Sequence, residues 1–229
     1  MQFAPVYPYL YRLLKSRFPS SLWCGSPAVP YVALTFDDGP HPEYTPQLLD
    51  VLDRYGVRAS FFWLGVNVAR FPAIAREVHL RGHWLALHGY EHRAFPRLTP
   101  TELHDSLERT RDAISSACDL DPALLRDVRP PNGIFTPKTL KLLNQWHYRP
   151  VMWSVVPEDW VEPGVERVCQ RVLTQIHWGA IVVLHDGYFG GQSVAQTAAC
   201  LIPQLRDREY DFVTIDRFWN DVPPPSLLN

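Results

Sequence analysis

The stretch "YVALTFDDGPHPE", Tyr31 to Glu43, decides the fold. Its first half is an apolar run rich in β-branched and aromatic residues, which reads as a strand. Its second half is two adjacent carboxylates, Asp37 and Asp38, followed by Gly39-Pro40. Side chains alternate faces along a strand, so these two should point apart and could not serve one site. If the strand ends at Phe36 and Gly39-Pro40 turns the backbone, both can face the same mouth.

Outward from this stretch, short apolar runs alternate with helical patterns. A stripe of Leu48, Leu49, Val51, Leu52 and Tyr55 ends at Gly56, as a helix before a glycine should. "RASFFWLG" reads as a second strand, Phe71, Ile74, Ala75 and Val78 as a helix, and Trp84–Leu87 as a third strand. Thr99, Pro100 and Glu102 form a capping box for a helix running to about Ala117. A short strand runs into Arg129, and Thr136-Pro137 starts a helix carrying Leu140 and Leu143. Pro150–Val155 is the fifth strand, followed by a helix with Val165, Val168, Val172 and Ile176. "AIVVL" is apolar enough to be buried on both faces; a helix (Val194, Ala198, Leu201, Leu205) and the strand "DFVTI" close the pattern.

About seven βα units with right-handed crossovers follow, and either an open doubly wound sheet or a (β/α) barrel could hold them. Polar clusters decide between the two. Asp37-Asp38, "HGYEH" (His88 to His92), "RPPNG" (Arg129 to Gly133), "MWSVVPEDW" (Met152 to Trp160) and "LHDG" (Leu184 to Gly187) each follow an apolar strand. In a barrel all these ends meet at one face, whereas an open sheet spreads them along an edge. We therefore expect a distorted α/β barrel, TIM-like but one unit short of eight.

The 229 residues suit one domain, expected over 29–220 with an N-terminal arm (1–28) and a C-terminal tail (221–229). Lys+Arg number 22 against 24 Asp+Glu, a net charge of -2 that argues against a nucleic-acid partner. Cys24, Cys118, Cys169 and Cys200 form no CxxC pair, so they read as free thiols rather than a zinc knuckle or redox motif. No run is long enough for stable membrane insertion. The first residues, interrupted by Pro5 and Pro8 and lacking an early basic residue, make a poor signal peptide. That suggests a cytoplasmic protein, or an extracytoplasmic one if the substrate is cell wall. The arm is amphipathic, and packing on the barrel is favoured over contact with a membrane surface.

His88 and His92, four apart at a strand mouth, together with one carboxylate are a normal set for a divalent transition metal. Two histidines four apart also occur on helix surfaces without a metal, so the aspartates at another strand's mouth carry the argument. His185 could bond a strand-end carbonyl or serve as a general acid. Arg129 could satisfy carbonyls under its Pro-Pro turn or hold a carboxylate ionised. Trp153 and Trp160 suit either a core or stacking against sugar rings. His41, His79, His83, His104, His147 and His177 read as surface or packing residues.

"TFDDGP", "HGYEH", "RPPNG", "PEDW" and "VLHD", in this order over roughly Val32 to Ile215, resemble the polysaccharide deacetylases: the NodB-homology domain, carbohydrate esterase family 4. The resemblance implies a distorted (β/α) barrel that removes an acetyl group using one divalent metal, usually zinc. It implies Asp38, His88 and His92 as metal ligands and Asp37 as general base. It further implies Arg129 as the partner of that base, Asp159 as the carboxylate orienting the acid, His185 as the acid, and the Asn132 N–H as an oxyanion donor. Gly89, Arg93, Asn132 and Val156 depart from the family pattern in ways that alter the substrate groove. The expected substrate is an N-acetylated sugar polymer or oligomer, chitin-like or peptidoglycan. The alternatives are a hydrolase of non-sugar amides or ureides on the same barrel and a non-catalytic carbohydrate-binding protein.

Overall fold

The structure is a computed structural model and describes Ala4 and residues 6–220; the expected C-terminal tail, 221–229, lies outside the described residues. At its centre β1 (Tyr31–Asp37) is buried along nearly its whole length. Its odd-numbered side chains point one way and its even ones the other. Ala33 joins Phe62, Ala86, Val151 and Ile181 in a small inner cluster, while Val32, Leu34 and Phe36 join the large cluster beneath the helices. A strand covered on both faces is written as a continuous apolar run for this reason.

Parallel strands β2 (Ser60–Trp63), β3 (Trp84–Leu87), β4 (Asp127–Val128), β5 (Arg149–Pro150) and β6 (Ala180–His185) surround it in the order β5-β4-β3-β2-β1-β6. The short β7 (Asp211–Phe212) pairs with Tyr31 and Val32, on the edge that β2 occupies from Thr35 onward. The outer layer is formed by α2 (Tyr44–Arg54), α4 (Pro72–Leu80), α5 (Pro100–Cys118), α6 (Pro137–Gln145), α7 (Val165–Gln175) and α8 (Val194–Arg206). The capping box at Thr99 forms in both directions: Thr99 Oγ1 accepts from Glu102 N–H, and Glu102 accepts from Thr99 N–H.

The sheet curls round without an eighth unit, and the seam between β5 and β6 is closed in two pieces. Near the strand beginnings, the chain before β1 lies in the gap: Leu22 N–H donates to Pro150 O, Met152 N–H to Leu22 O, and Gly25 N–H to Gly179 O. Further up, Val155 bridges directly to Val182. The fifth apolar run therefore changes partner midway, from the 22–25 segment to β6. That is why only Arg149–Pro150 is regular strand where the sequence suggests Pro150–Val155. The last strand is likewise cut to two residues before the chain turns into α9 (Asp216–Trp219), and the short α3 (Gly65–Arg70) has no counterpart in the periodicity.

The N-terminal segment packs on the barrel. In α1 (Tyr7–Arg17), Tyr11 and Leu14 face Trp23, Met152, Phe18 and Phe135. Ahead of it the Ala4 N–H donates to Glu158 Oε2 at 3.0 Å. No helix among the described residues is long and apolar enough to cross a membrane.

Candidate active site

The turn at the end of β1 brings the two aspartates together, and it begins one residue later than the sequence suggests. Asp37 is still strand, in register with His185 of β6, whereas Asp38 takes φ 75° and leaves it. A non-glycine residue in this left-handed region is uncommon, and Asp is among the side chains that tolerate it. The conformation is held from both sides: Asp38 N–H donates to Phe62 O, and Asn67 Nδ2 donates to Asp38 O at 2.8 Å. The Gly39–Pro40 peptide beyond it is cis. The reversal at Asp38 undoes the alternation, so both carboxylates reach the mouth.

Asp38 Oδ1 lies 3.4 Å from His88 Nε2 and 3.5 Å from His92 Nε2, and it is buried without a hydrogen-bond partner. The three donor atoms are all within 4.8 Å of one another. His88 and His92 sit in the loop after β3, not on a helix. His88 Nδ1 contacts Arg129 O at 2.7 Å. A carbonyl only accepts, so Nδ1 carries the proton and Nε2 turns its lone pair toward Asp38. Burial pushes the His88 imidazole down to about 3, keeping it a neutral ligand. Tetrahedral zinc with bonds of ~2.0–2.1 Å would place neighbouring ligand atoms roughly 3.3 Å apart. An orphaned buried carboxylate oxygen facing two neutral imidazole nitrogens at these separations fits one divalent cation.

Beside this triad stands a buried ion pair. Arg129 reaches across the barrel from the end of β4, and its guanidinium donates to Asp37 Oδ1 at 2.5 Å, Thr35 Oγ1 at 2.8 Å and Met152 O at 2.9 Å, over the Phe62 ring. Burial pushes the Asp37 carboxyl above its usual range, while Arg129 and His185 pull it back. Among the described residues Asp37 Oδ1 accepts this one bond and Oδ2 accepts none.

Asp37 and His185 are neighbours across a parallel ladder, on strands ~4.8 Å apart, so both side chains leave the sheet on the same face. Asp159 fixes the histidine twice, accepting from His185 Nδ1 and from its backbone N–H, each at 2.8 Å. Burial alone would lower this imidazole. The Asp159 carboxylate outweighs it, helped by Asp38 and Asp37, and the pKa rises to about 10. Trp160 stands edge-on to the His185 ring at 5.2 Å.

The other predicted site residues divide. Asn132 lies in an exposed turn with φ 58°, and its N–H has no protein partner among the described residues. Trp153 is half-buried: its ring meets Tyr7 and Trp23 of the N-terminal segment edge-on and also lies against the Gly133 turn beside Asn132. Three supporting residues escape the sequence reading: Thr35, Asn67 and Asp186. Thr35 was detectable, since it stands two residues before Asp37 and so shares its face. Asp186 points away from His185; Thr45 Oγ1 donates to it at 2.6 Å and Trp63 Nε1 at 3.2 Å. Burial pushes it up to about 7. His41, expected as a surface or packing residue, is buried and accepts the Glu43 and Tyr44 N–H groups at the start of α2.

The chain is similar to known proteins over most of its length. The polysaccharide deacetylase profile matches residues 25–151. A chitooligosaccharide deacetylase of Bradyrhizobium sp. (strain ANU 289) is 41% identical over 191 residues, covering 79% of this chain and 86% of the relative. The crystal structure of the Bc1960 peptidoglycan N-acetylglucosamine deacetylase superposes with a TM-score of 0.83 at 28% identity, covering 87% of this chain and 92% of that one. BA3943 of Bacillus anthracis, described as a CE4 family pseudoenzyme, gives 0.79 at 28% identity over 87% of this chain and 69% of its own. With the five motifs gathered at one barrel mouth and more than half its length matched, the chain belongs to the polysaccharide deacetylase family.

Proposed function

We propose that this protein is a metal-dependent hydrolase that removes N-acetyl groups from an N-acetylglucosamine glycan, chitin-like or peptidoglycan. The observation that carries the reading is the register pair Asp37–His185, with each member held by its own partner, beside the Asp38–His88–His92 triad. That the relatives are named as chitooligosaccharide and peptidoglycan deacetylases supports the substrate class.

Asp38, His88 and His92 would hold a divalent cation, zinc by the donor set. When bound it supplies Lewis acidity, lowering the pKa of water from ~15.7 toward ~7. Asp37 takes the proton of the attacking water at Oδ2, the oxygen that Arg129 leaves free. Arg129 holds Oδ1 and so fixes the direction in which the base points. The charge developing on the acetyl oxygen is met by the Asn132 N–H. His185, donating from Nδ1 to Asp159, presents Nε2 to the departing amine and hands it a proton, without which an amine leaves poorly. Trp160 forms a wall beside that nitrogen.

Acetate release from N-acetylglucosamine oligomers and from peptidoglycan, with chelator and after zinc is returned, tests this. Release should stop with chelator and resume with zinc. Chelator-insensitive release would remove the metal role, and turnover confined to small amides would replace the sugar with another C–N substrate. A second reading, glycan binding without turnover, draws on the likeness to the B. anthracis pseudoenzyme. The complete set of ligands, base and acid argues against it. Glycan binding unchanged in Asp37→Asn, with no acetate released by the unmodified chain, would establish it.

A further inference from the structure

The loop between β6 and α8, "DGYFGG", carries two of the most exposed aromatic rings among the described residues: Tyr188 is 55% exposed and Phe189 72%. Hydrophobic rings left this open need a reason when they stand beside a polar cleft. The glycines that flank them fix where they stand. A Cβ on Gly187 would lie 2.6 Å from Asp38 Cβ, and one on Gly190 would lie 3.2 Å from Asp159 Oδ2 and 3.3 Å from Trp160 N. One on Gly191 would lie 2.6 Å from the Tyr44 ring. The loop is thus seated by close backbone approach on both sides of the site: on the triad at Asp38 and on the partner of His185 at Asp159. Only Tyr188 and Phe189 lie between these seats. Each Cα is one virtual bond, about 3.8 Å, from a seated glycine, so both rings leave the chain at the rim of the site.

The two rings are held differently. Tyr188 meets the His41 ring edge-on at 4.7 Å, and His41 is itself stacked on Tyr44 at 3.9 Å and hydrogen-bonded to the start of α2. Its orientation is therefore braced by the scaffold. Phe189 has no ring partner among the described residues and stands largely in solvent. The loop carries no charge between Asp186 and α8. A charged peptide or a phosphate would find nothing there to pair with. What suits the faces of two uncharged rings is a flat, neutral, C–H-lined surface, because the negative aromatic face attracts the slightly positive C–H groups of a pyranose.

We propose that Tyr188 and Phe189 form a saccharide subsite, stacking on a pyranose ring of the same glycan next to the sugar being deacetylated. This rests on the reading given under Proposed function and adds a preference: longer oligomers should be better substrates because an extra ring reaches the tip of this loop. The aromatic pair binds without touching the reacting atoms, so its effect belongs in KM.

The test uses zinc-loaded full-length protein and N-acetylglucosamine oligomers of two to six units. Phe189→Ala and Tyr188→Ala should each raise KM for the hexamer about tenfold, equivalent to about 1.4 kcal/mol, with kcat far less affected. The loss should shrink as the oligomer shortens, and Phe189→Trp should restore the hexamer KM. Leu80→Ala, removing a ring-free exposed side chain on α4, is the control and should change nothing. Equal loss at every length, or no loss in Phe189→Ala, overturns the subsite. If the unmodified chain releases no acetate from any oligomer, the proposed reaction fails, and calorimetric binding of the hexamer then decides the subsite alone. About tenfold weaker binding in Phe189→Ala upholds it, and unchanged binding overturns it.

Discussion

Two aspartate–arginine pairs with buried carboxylates are anchored two residues apart, at the start of β4 and just past its end, and they do opposite jobs. Asp127, at the start of β4, is saturated: Arg149 donates to both its oxygens at 2.8 and 2.9 Å, Trp219 Nε1 to Oδ1 and Trp84 Nε1 to Oδ2. Arg129, the residue just past that strand, meets Asp37 through one oxygen and leaves the other open. Burial pushes both carboxyls upward against the pull of their arginines. What differs is saturation. A carboxylate whose lone pairs are all committed can only hold the barrel together, whereas one fixed at a single oxygen is oriented and still able to take a proton. Asp127 ties β4, β5 and Trp219 of α9 together at the end of the barrel away from the site, and Asp37 works at the mouth.

Removing each carboxylate in turn separates the two roles. Asp37→Asn should lower acetate release by ~10²–10⁴ while the protein keeps its fold, since a general base is lost and its space is conserved. Asp127→Asn should do the reverse, costing about 3 kcal/mol in urea denaturation because buried donors lose their charged acceptor, with turnover per folded molecule nearly intact. If Asp127→Asn abolished turnover without destabilising the fold, the division between the two pairs would be wrong.

Asp159→Asn should reduce turnover roughly tenfold to a hundredfold, and should move the alkaline limb of the pH–rate profile to lower pH. The direction follows from charge: Asp159 raises His185, so its removal lets the imidazole lose its proton sooner. Smallest is a stability slope from His83, which is buried behind β3, accepts the Ala59 N–H, and is pushed by burial from 6.5 to about 4. Between pH 6.5 and 4 the unfolded chain protonates this residue and the folded chain does not. Stability should therefore fall as pH drops through that window, by at most about 1.4 kcal/mol per pH unit. His83→Gln should flatten that slope relative to the unmodified chain in pH-dependent denaturation.

The barrel was legible in the sequence because its strands are buried on both faces and its polar clusters come directly after them. The capping box at Thr99 and the span Trp84–Leu87 needed no tertiary information. The seam did not announce itself. The chain at Leu22–Gly25 substitutes for a missing strand through only a few backbone bonds, and such a partner leaves no periodicity to detect. The site residues were visible as types and positions, but not the turn that unites them. Alternation sets Asp37 and Asp38 on opposite faces, and it is φ 75° at Asp38, not the Gly39-Pro40 step alone, that cancels it. Trp153 was ambiguous for a different reason: an aromatic at a strand end serves core and cleft equally, and here the N-terminal segment covers it.

The central claim, that the adjacent aspartates divide into base and metal ligand, is tested most directly by zinc content per chain in Asp37→Asn and Asp38→Asn. Asp37→Asn should retain one zinc ion while losing turnover, and Asp38→Asn should lose zinc affinity along with activity. Zinc retained by Asp38→Asn and lost by Asp37→Asn would contradict the assignment and exchange the two roles.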